Sequence, residues 1–143
     1  MEHETKRLPE LPDVIAPDGS DVRVLLRTPR GSMAHFELSG GRASDPICHS
    51  TVEEIWFILS GRGEMWRRCG NTENVVPLDA GICVTIPVGT HFQFRALPGE
   101  PLKAVGITMP PWPGPKEAIA VPGKWPPLLP VDAPPMDSPQ ERN

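Results

Sequence analysis

The chain is predicted to be all-β, a sandwich or a barrel, and three observations predict it. Between residues 20 and 110, short apolar runs alternate with Gly, Pro, Asp and Asn at a spacing that suits strands joined by tight turns. No stretch of helical length repeats its apolar residues with a 3.6-residue period. Eleven of the 20 prolines fall between Pro110 and Pro139, where they exclude long helix and favour an extended chain lying on a surface.

In chain order, residues 1–19 are polar and interrupted by Pro9, Pro12 and Pro17, so they read as an arm that can cross the barrel or a partner subunit. Strands are expected over residues 22–26, 33–38, 55–59, 64–68, 75–78, 82–86, 91–95 and 102–108. In the second of these His35 and Glu37 share a face, either solvated or lining a pocket. In the third, Glu54, Trp56 and Ile58 share one face and Glu53, Ile55 and Phe57 the other; the spacing to Gly61 selects Glu54 as the inward carboxylate, while a variable loop after His49 would let Glu53 serve. Trp66 and Arg68 share a face of the fourth, where Trp66 is a candidate to stack on a flat ligand. In the seventh, His91, Gln93 and Arg95 oppose Phe92 and Phe94. Residues 116–120 can form at most about one turn, and the Pro-rich tail spans 111–143. Trp112 and Trp125 are expected to dock, since free linkers are poor in aromatics. They cap the barrel exterior or an interface, or one of them closes a pocket mouth.

A chain of 143 residues supports one domain burying roughly two thirds of its unfolded surface. The net charge of -4 and pI near 5.5 exclude a nucleic-acid face, which needs clustered cations; Arg67-Arg68 is the densest basic run. The polar start, Met1-Glu-His-Glu-Thr-Lys-Arg, does not resemble a secretory signal, and no segment approaches the ~20 apolar residues of a membrane helix. The expected location is the cytoplasm. Cys48, Cys69 and Cys83 form no C-x-x-C pair and suit reduced thiols. Cys48 and His49, adjacent on a strand, point to opposite faces and cannot serve one metal.

Two segments carry a more specific signal. The run His49-Ser-Thr-Val-Glu-Glu54-Ile-Trp-Phe-Ile-Leu-Ser-Gly61 and the run Gly81-Ile-Cys-Val-Thr-Ile-Pro87-Val-Gly89-Thr-His91 resemble the paired motifs of cupins. In the first, Glu54 and Gly61 keep the family spacing, His49 falls where the second His belongs, and Ile47 takes the place of the first. In the second, Gly81, Pro87 and Gly89 match. An ungapped reading then puts Phe92 at the His position and Ala96 at the Asn position, with His91 one residue early. The ending Thr108-Met-Pro-Pro-Trp-Pro-Gly114 is similar to that of stand-alone single-barrel cupins.

The resemblance implies a single cupin jelly-roll barrel over residues 20–110 with its site inside. It also implies a homodimer, and a divalent metal (Fe, Mn, Ni, Co or Zn) held by His49, Glu54 and His91. Two imidazoles and a carboxylate leave open positions for substrate and oxygen. Two registers remain open after Gly89. If the loop is one residue short, His91 takes the ligand position and Gln93 and Arg95 line the pocket. If not, Phe92 and Phe94 face inward, which avoids burying Gln93 and Arg95 without partners at about 1 to 3 kcal/mol each.

Two functional expectations follow. One is a metal-dependent enzyme of isomerase, dioxygenase or cyclase type acting on a small molecule, with Glu54 and His49 catalytic and with Trp56, Phe92, Gln93, Arg95, His35 and Trp66 contacting substrate. The other is a metal-free barrel that binds a hydrophobic or sugar-like ligand, or does acid-base chemistry with Glu54 and His49. The chain has no Tyr, so the His and Tyr pair of sugar-nucleotide epimerases of this fold is excluded.

Overall fold

A computed structural model describes residues 2–16 and 18–126. The strands form two antiparallel sheets. The six-stranded sheet runs in the order β1 (Val14–Ile15), β2 (Asp21–Thr28), β3 (Gly31–Leu38), β10 (Leu102–Met109), β5 (Glu53–Ser60) and β8 (Cys83–Ile86). The five-stranded sheet runs β11 (Ala118–Ala120), β4 (Ile47–His49), β9 (His91–Ala96), β6 (Gly63–Cys69) and β7 (Thr72–Leu78). All eight expected strands are present. Three short strands were not expected: β1 from the arm, β4 beside the first motif, and β11.

The strands form where β-branched and aromatic residues alternate with polar ones, because a pleated chain with one dry face needs that period. β5 shows it most plainly, with Glu54, Trp56 and Ile58 buried and Glu53, Ile55, Phe57 and Leu59 exposed. The inner faces of the two sheets meet in one core built from Leu38, Trp56, Ile58, Met65, Ile86, Phe92, Phe94 and Leu102. Gly61 ends β5 with φ of 85°, and a Cβ there would stand 2.2 Å from the carbonyl oxygen of Pro101. A side chain at that point would break the turn that starts β6.

The arm and tail are built into the barrel. Arg23 donates to the carbonyls of Pro9 and Glu10, and Val14 and Ile15 pair with β2 at the sheet edge. The Pro-rich region was expected to be an extended surface chain, with at most about one turn over residues 116–120. However, a short 3-10 turn begun by Pro115 (Pro115–Glu117) leads into β11, which lies in the Pro-free stretch 116–121 and pairs with β4. The rest of the tail expectation, residues 127–143, lies outside the described residues.

Candidate active site

A cavity of about 590 Å³ opens between the sheets, lined by β2, β3, β4, β5, β9, the end of β10 and the segment that follows it. Its walls are mostly apolar, with Phe36, Ile47, Trp56, Phe92 and Trp112 contributing the larger faces. Phe36 stacks on Trp56 with ring centres 4.9 Å apart, and Phe92 meets Trp56 edge-on at 6.4 Å. Gly106, paired with Trp56 across the strands, makes room for that stack: a Cβ there would come within 2.7 Å of Phe36 and 3.0 Å of Trp56.

Three ionisable side chains interrupt the apolar wall from buried positions: Glu54, His49 and Asp18. Glu54 Oε1 accepts a 2.6 Å hydrogen bond from Trp56 Nε1. Its Oε2 lies 3.2 Å from His49 Nδ1, off the line of a hydrogen bond, so that Nδ1 is a buried nitrogen without a hydrogen-bond partner. The imidazole is held by edge contacts with Phe92 at 5.3 Å and Trp112 at 5.2 Å. Asp18 Oδ1 accepts from the amide and hydroxyl of Ser20, closing the turn before β2.

Burial sets the charge states. Loss of solvent pushes the Glu54 carboxyl up to about 7, against the Trp56 hydrogen bond, and nearby Asp18 adds to the rise. Burial lowers the His49 imidazole to about 4, with Glu117 pulling the other way. Asp18 is likewise raised, first by burial. At neutral pH the site therefore holds a neutral imidazole beside a carboxyl poised near half-ionisation.

Glu117 holds this pair in place from outside. Its carboxylate accepts from the amides of Thr51 at 2.5 Å and Val52 at 2.8 Å and from the Thr51 hydroxyl at 2.8 Å, fixing the turn that joins His49 to β5. Burial tends to raise this carboxyl, but those donors win and its pKa is lowered.

The residues expected to surround a metal or substrate divide into two groups. His49, Glu54, Trp56 and Phe92 line the cavity together; His91, Gln93, Arg95, His35 and Trp66 do not. The expectation of His91 as a ligand is corrected by register. Ile47 pairs with Phe92 and Cys48 with His91, so His91 shares the outer side with Cys48 while Phe92 faces the cavity beside His49. The ungapped reading holds because it buries Phe92 and Phe94 in the core.

Gln93 is buried on the outer side of the same sheet. Its amide nitrogen donates to the carbonyls of Ser44 and Trp125, and its oxygen accepts from the amides of Lys124 and Trp125. Arg95 pairs with Glu64 and lies 4.2 Å over the Trp125 ring. Both hold the tail, not a substrate. Trp66 donates to Glu73, and His35, paired with Arg23 and Val105, faces away from the cavity.

The donor set does not fit a protein-bound metal of the usual three-ligand kind. Ile47 and Phe92 occupy the places of two imidazoles, and among the described residues no three His, Cys, Asp or Glu side chains converge. Sequence reasoning missed Asp18, Glu117 and the cavity role of Ser32 and Thr108, which bond to each other while Ser32 Oγ takes the amide of Trp112. Asp18-Gly-Ser20 carries a turn signature that could have been read; Glu117 stands 63 positions after Glu54, and no local pattern betrays its contact.

No family model matches the chain, and no curated protein matches it. Solved structures do. A variant of Streptomyces Pac13 with uridine superposes with a TM-score of 0.64 at 16% identity, over 83% of this chain and 92% of that one. Pac13 itself is described as a nucleoside dehydratase. KdgF from Halomonas gives 0.58 at 16% identity over 68% and 84% of the two chains. BH2720 from Bacillus halodurans gives 0.59 at 21% over 65% and 72%.

Proposed function

On a barrel that has the cupin fold, we propose that this protein binds a small, largely apolar organic molecule in its cavity and transfers a proton on it with Glu54, without a protein-held metal. The observation that carries this reading is Glu54 itself: a carboxyl buried among Phe36, Trp56 and Phe92, raised to about 7, with a neutral imidazole 3.2 Å away. A group whose pKa lies near the working pH can both give and take a proton, an effect worth about 10² to 10⁴ in rate when aligned with the reacting atom. Trp56 Nε1 orients one oxygen and leaves the other toward His49. The unpartnered His49 Nδ1 is an acceptor for the Glu54 proton or for a ligand hydroxyl. Trp112 covers the His49 side of the cavity, and the arm residues Val14 and Ile15 line its open edge.

Pac13 being a nucleoside dehydratase supports small-molecule chemistry in a barrel of this shape. The metal-dependent isomerase, dioxygenase or cyclase reading has less support, because its third ligand stands on the other face of β9. Glu54→Gln tests the proposal: turnover of an identified substrate should be lost while the fold and ligand affinity persist, and unchanged turnover would remove Glu54 from the chemistry.

A homodimer is part of the proposal. Ile55, Phe57 and Leu59 are 47%, 47% and 41% exposed on the outer face of β5 beside Val105 and Ile107, an apolar sheet face suited to a second copy. Light scattering should give twice the chain mass, and Phe57→Glu should return it to that of one chain.

A further inference from the structure

The cavity is chemically lopsided. Its buried lining carries the carboxyls of Asp18 and Glu54, while the other charged lining residues, Glu4 and Arg27, are both exposed at its edge. Asp18 and Glu54 are 5% and 4% exposed, and the charge of one is felt by the other. Asp18 Oδ1 accepts from the amide and hydroxyl of Ser20, which hold the carboxyl at its buried place in the cavity wall. Next to them, His49 Nδ1 is buried without a hydrogen-bond partner. Burial holds both carboxyls of this cavity toward the neutral form, and none of its described lining residues is a buried cation; a bound cation would relieve both. The rest of the wall suits the same guest, since Phe36, Trp56 and Phe92 offer aromatic surface that attracts an ammonium and packs an apolar body.

We propose that the cavity selects organic amines, with the protonated nitrogen held between Asp18 and Glu54 and the apolar body against Phe36, Trp56 and Phe92. This rests on the cavity being the ligand site, and it names the ligand class that site takes. Asp18 is then a specificity-determining residue that reads the positive charge, while Glu54 remains free to exchange a proton with the bound molecule. An anionic ligand is disfavoured twice, by the carboxyls and by the absence of a buried cation among the described lining residues.

The test is calorimetry on the full chain at about pH 8, above the value of about 7 to which Glu54 is raised, with three probes of matched shape: phenethylamine, phenethyl alcohol and phenylacetate. The amine is expected to bind about tenfold or more tighter than the alcohol, and phenylacetate weakest. Asp18→Asn keeps the oxygen that accepts from Ser20, and it should bring the amine down to the affinity of the alcohol while leaving the alcohol unchanged. Alcohol or phenylacetate binding as tightly as the amine overturns the ligand class alone and leaves the cavity as the site. An amine preference that survives Asp18→Asn overturns the role of Asp18. Binding of none of the three, with no change in Trp fluorescence, overturns both the ligand class and the cavity reading. The wild-type comparison stands even if the variant does not fold.

Discussion

His49 and Glu54 stand 3.2 Å apart across the turn that joins β4 to β5, and burial moves their pKa values in opposite directions. The imidazole falls to about 4 and the carboxyl rises to about 7, so the proton that two exposed groups would place on His49 resides on Glu54 instead. The pH dependence of stability follows. Between about 4.5 and 7 the folded carboxyl binds more protons than the unfolded one, so its contribution is full at low pH and declines as pH rises. Between about 4 and 6.5 the folded imidazole binds fewer, so its contribution rises with pH. The two slopes oppose. Glu54→Gln should therefore show stability increasing from pH 4 to 6.5 more steeply than wild type, and His49→Asn should show it decreasing from 4.5 to 7, both read by denaturant melts across pH.

Phe92 stands where a second imidazole would join His49 and Glu54 as a third metal ligand, with its ring 5.3 Å from His49. Wild-type protein is expected to show no thermal shift with Zn, Co, Ni, Mn or Fe. Phe92→His, although it gives up about 1 to 3 kcal/mol of core packing, should gain a Co or Zn thermal shift and near-stoichiometric metal by elemental analysis. His91→Ala should change neither. A wild-type shift abolished by His91→Ala would return His91 to the site.

Glu117 ties the tail to the turn before Glu54 through three donors from Thr51 and Val52. Glu117→Gln replaces one acceptor oxygen by a donor facing amide donors, and hydrogen bonds to a charged group are worth about 1.5 to 3 kcal/mol each. A loss of about 2 kcal/mol or more is expected in chemical denaturation at pH 7. Because the folded carboxyl titrates low, that contribution is present above its ordinary pKa of 4.5 and fades as pH falls below it, so the two proteins should converge in acid.

Gln93 makes four hydrogen bonds that hold residues 124 and 125 on the outside of β9. Gln93→Leu leaves the backbone groups of Ser44, Lys124 and Trp125 without that partner, at about 1 to 3 kcal/mol. Hydrogen exchange at residues 123–125 should accelerate and Trp125 emission should shift to the red, while ligand affinity in the cavity stays as it was.

Strand alternation made much of this legible in the chain. Glu54 rather than Glu53 faces inward because β5 has one dry side, and the spacing to Gly61 marks the same residue. Phe92 and Phe94 against Gln93 was a choice of face that the sequence left open, and packing decided it: the aromatic pair enters the core, and the tail supplies the partners that buried Gln93 needs. Those partners lie more than 30 positions away, as do the contacts of Glu117 with Thr51 and of Trp112 with Ser32. Such contacts follow from the path of the tail over the barrel, which its prolines keep extended but do not direct.

The most direct measurement is the titration of Glu54 in the folded, ligand-free protein, followed by its side-chain carboxyl ¹³C shift and assigned by the loss of the signal in Glu54→Gln. A midpoint near about 7 is expected from its burial beside Trp56. A midpoint near 4.5, the ordinary value of an exposed glutamate, would contradict a carboxyl poised for proton transfer at neutral pH.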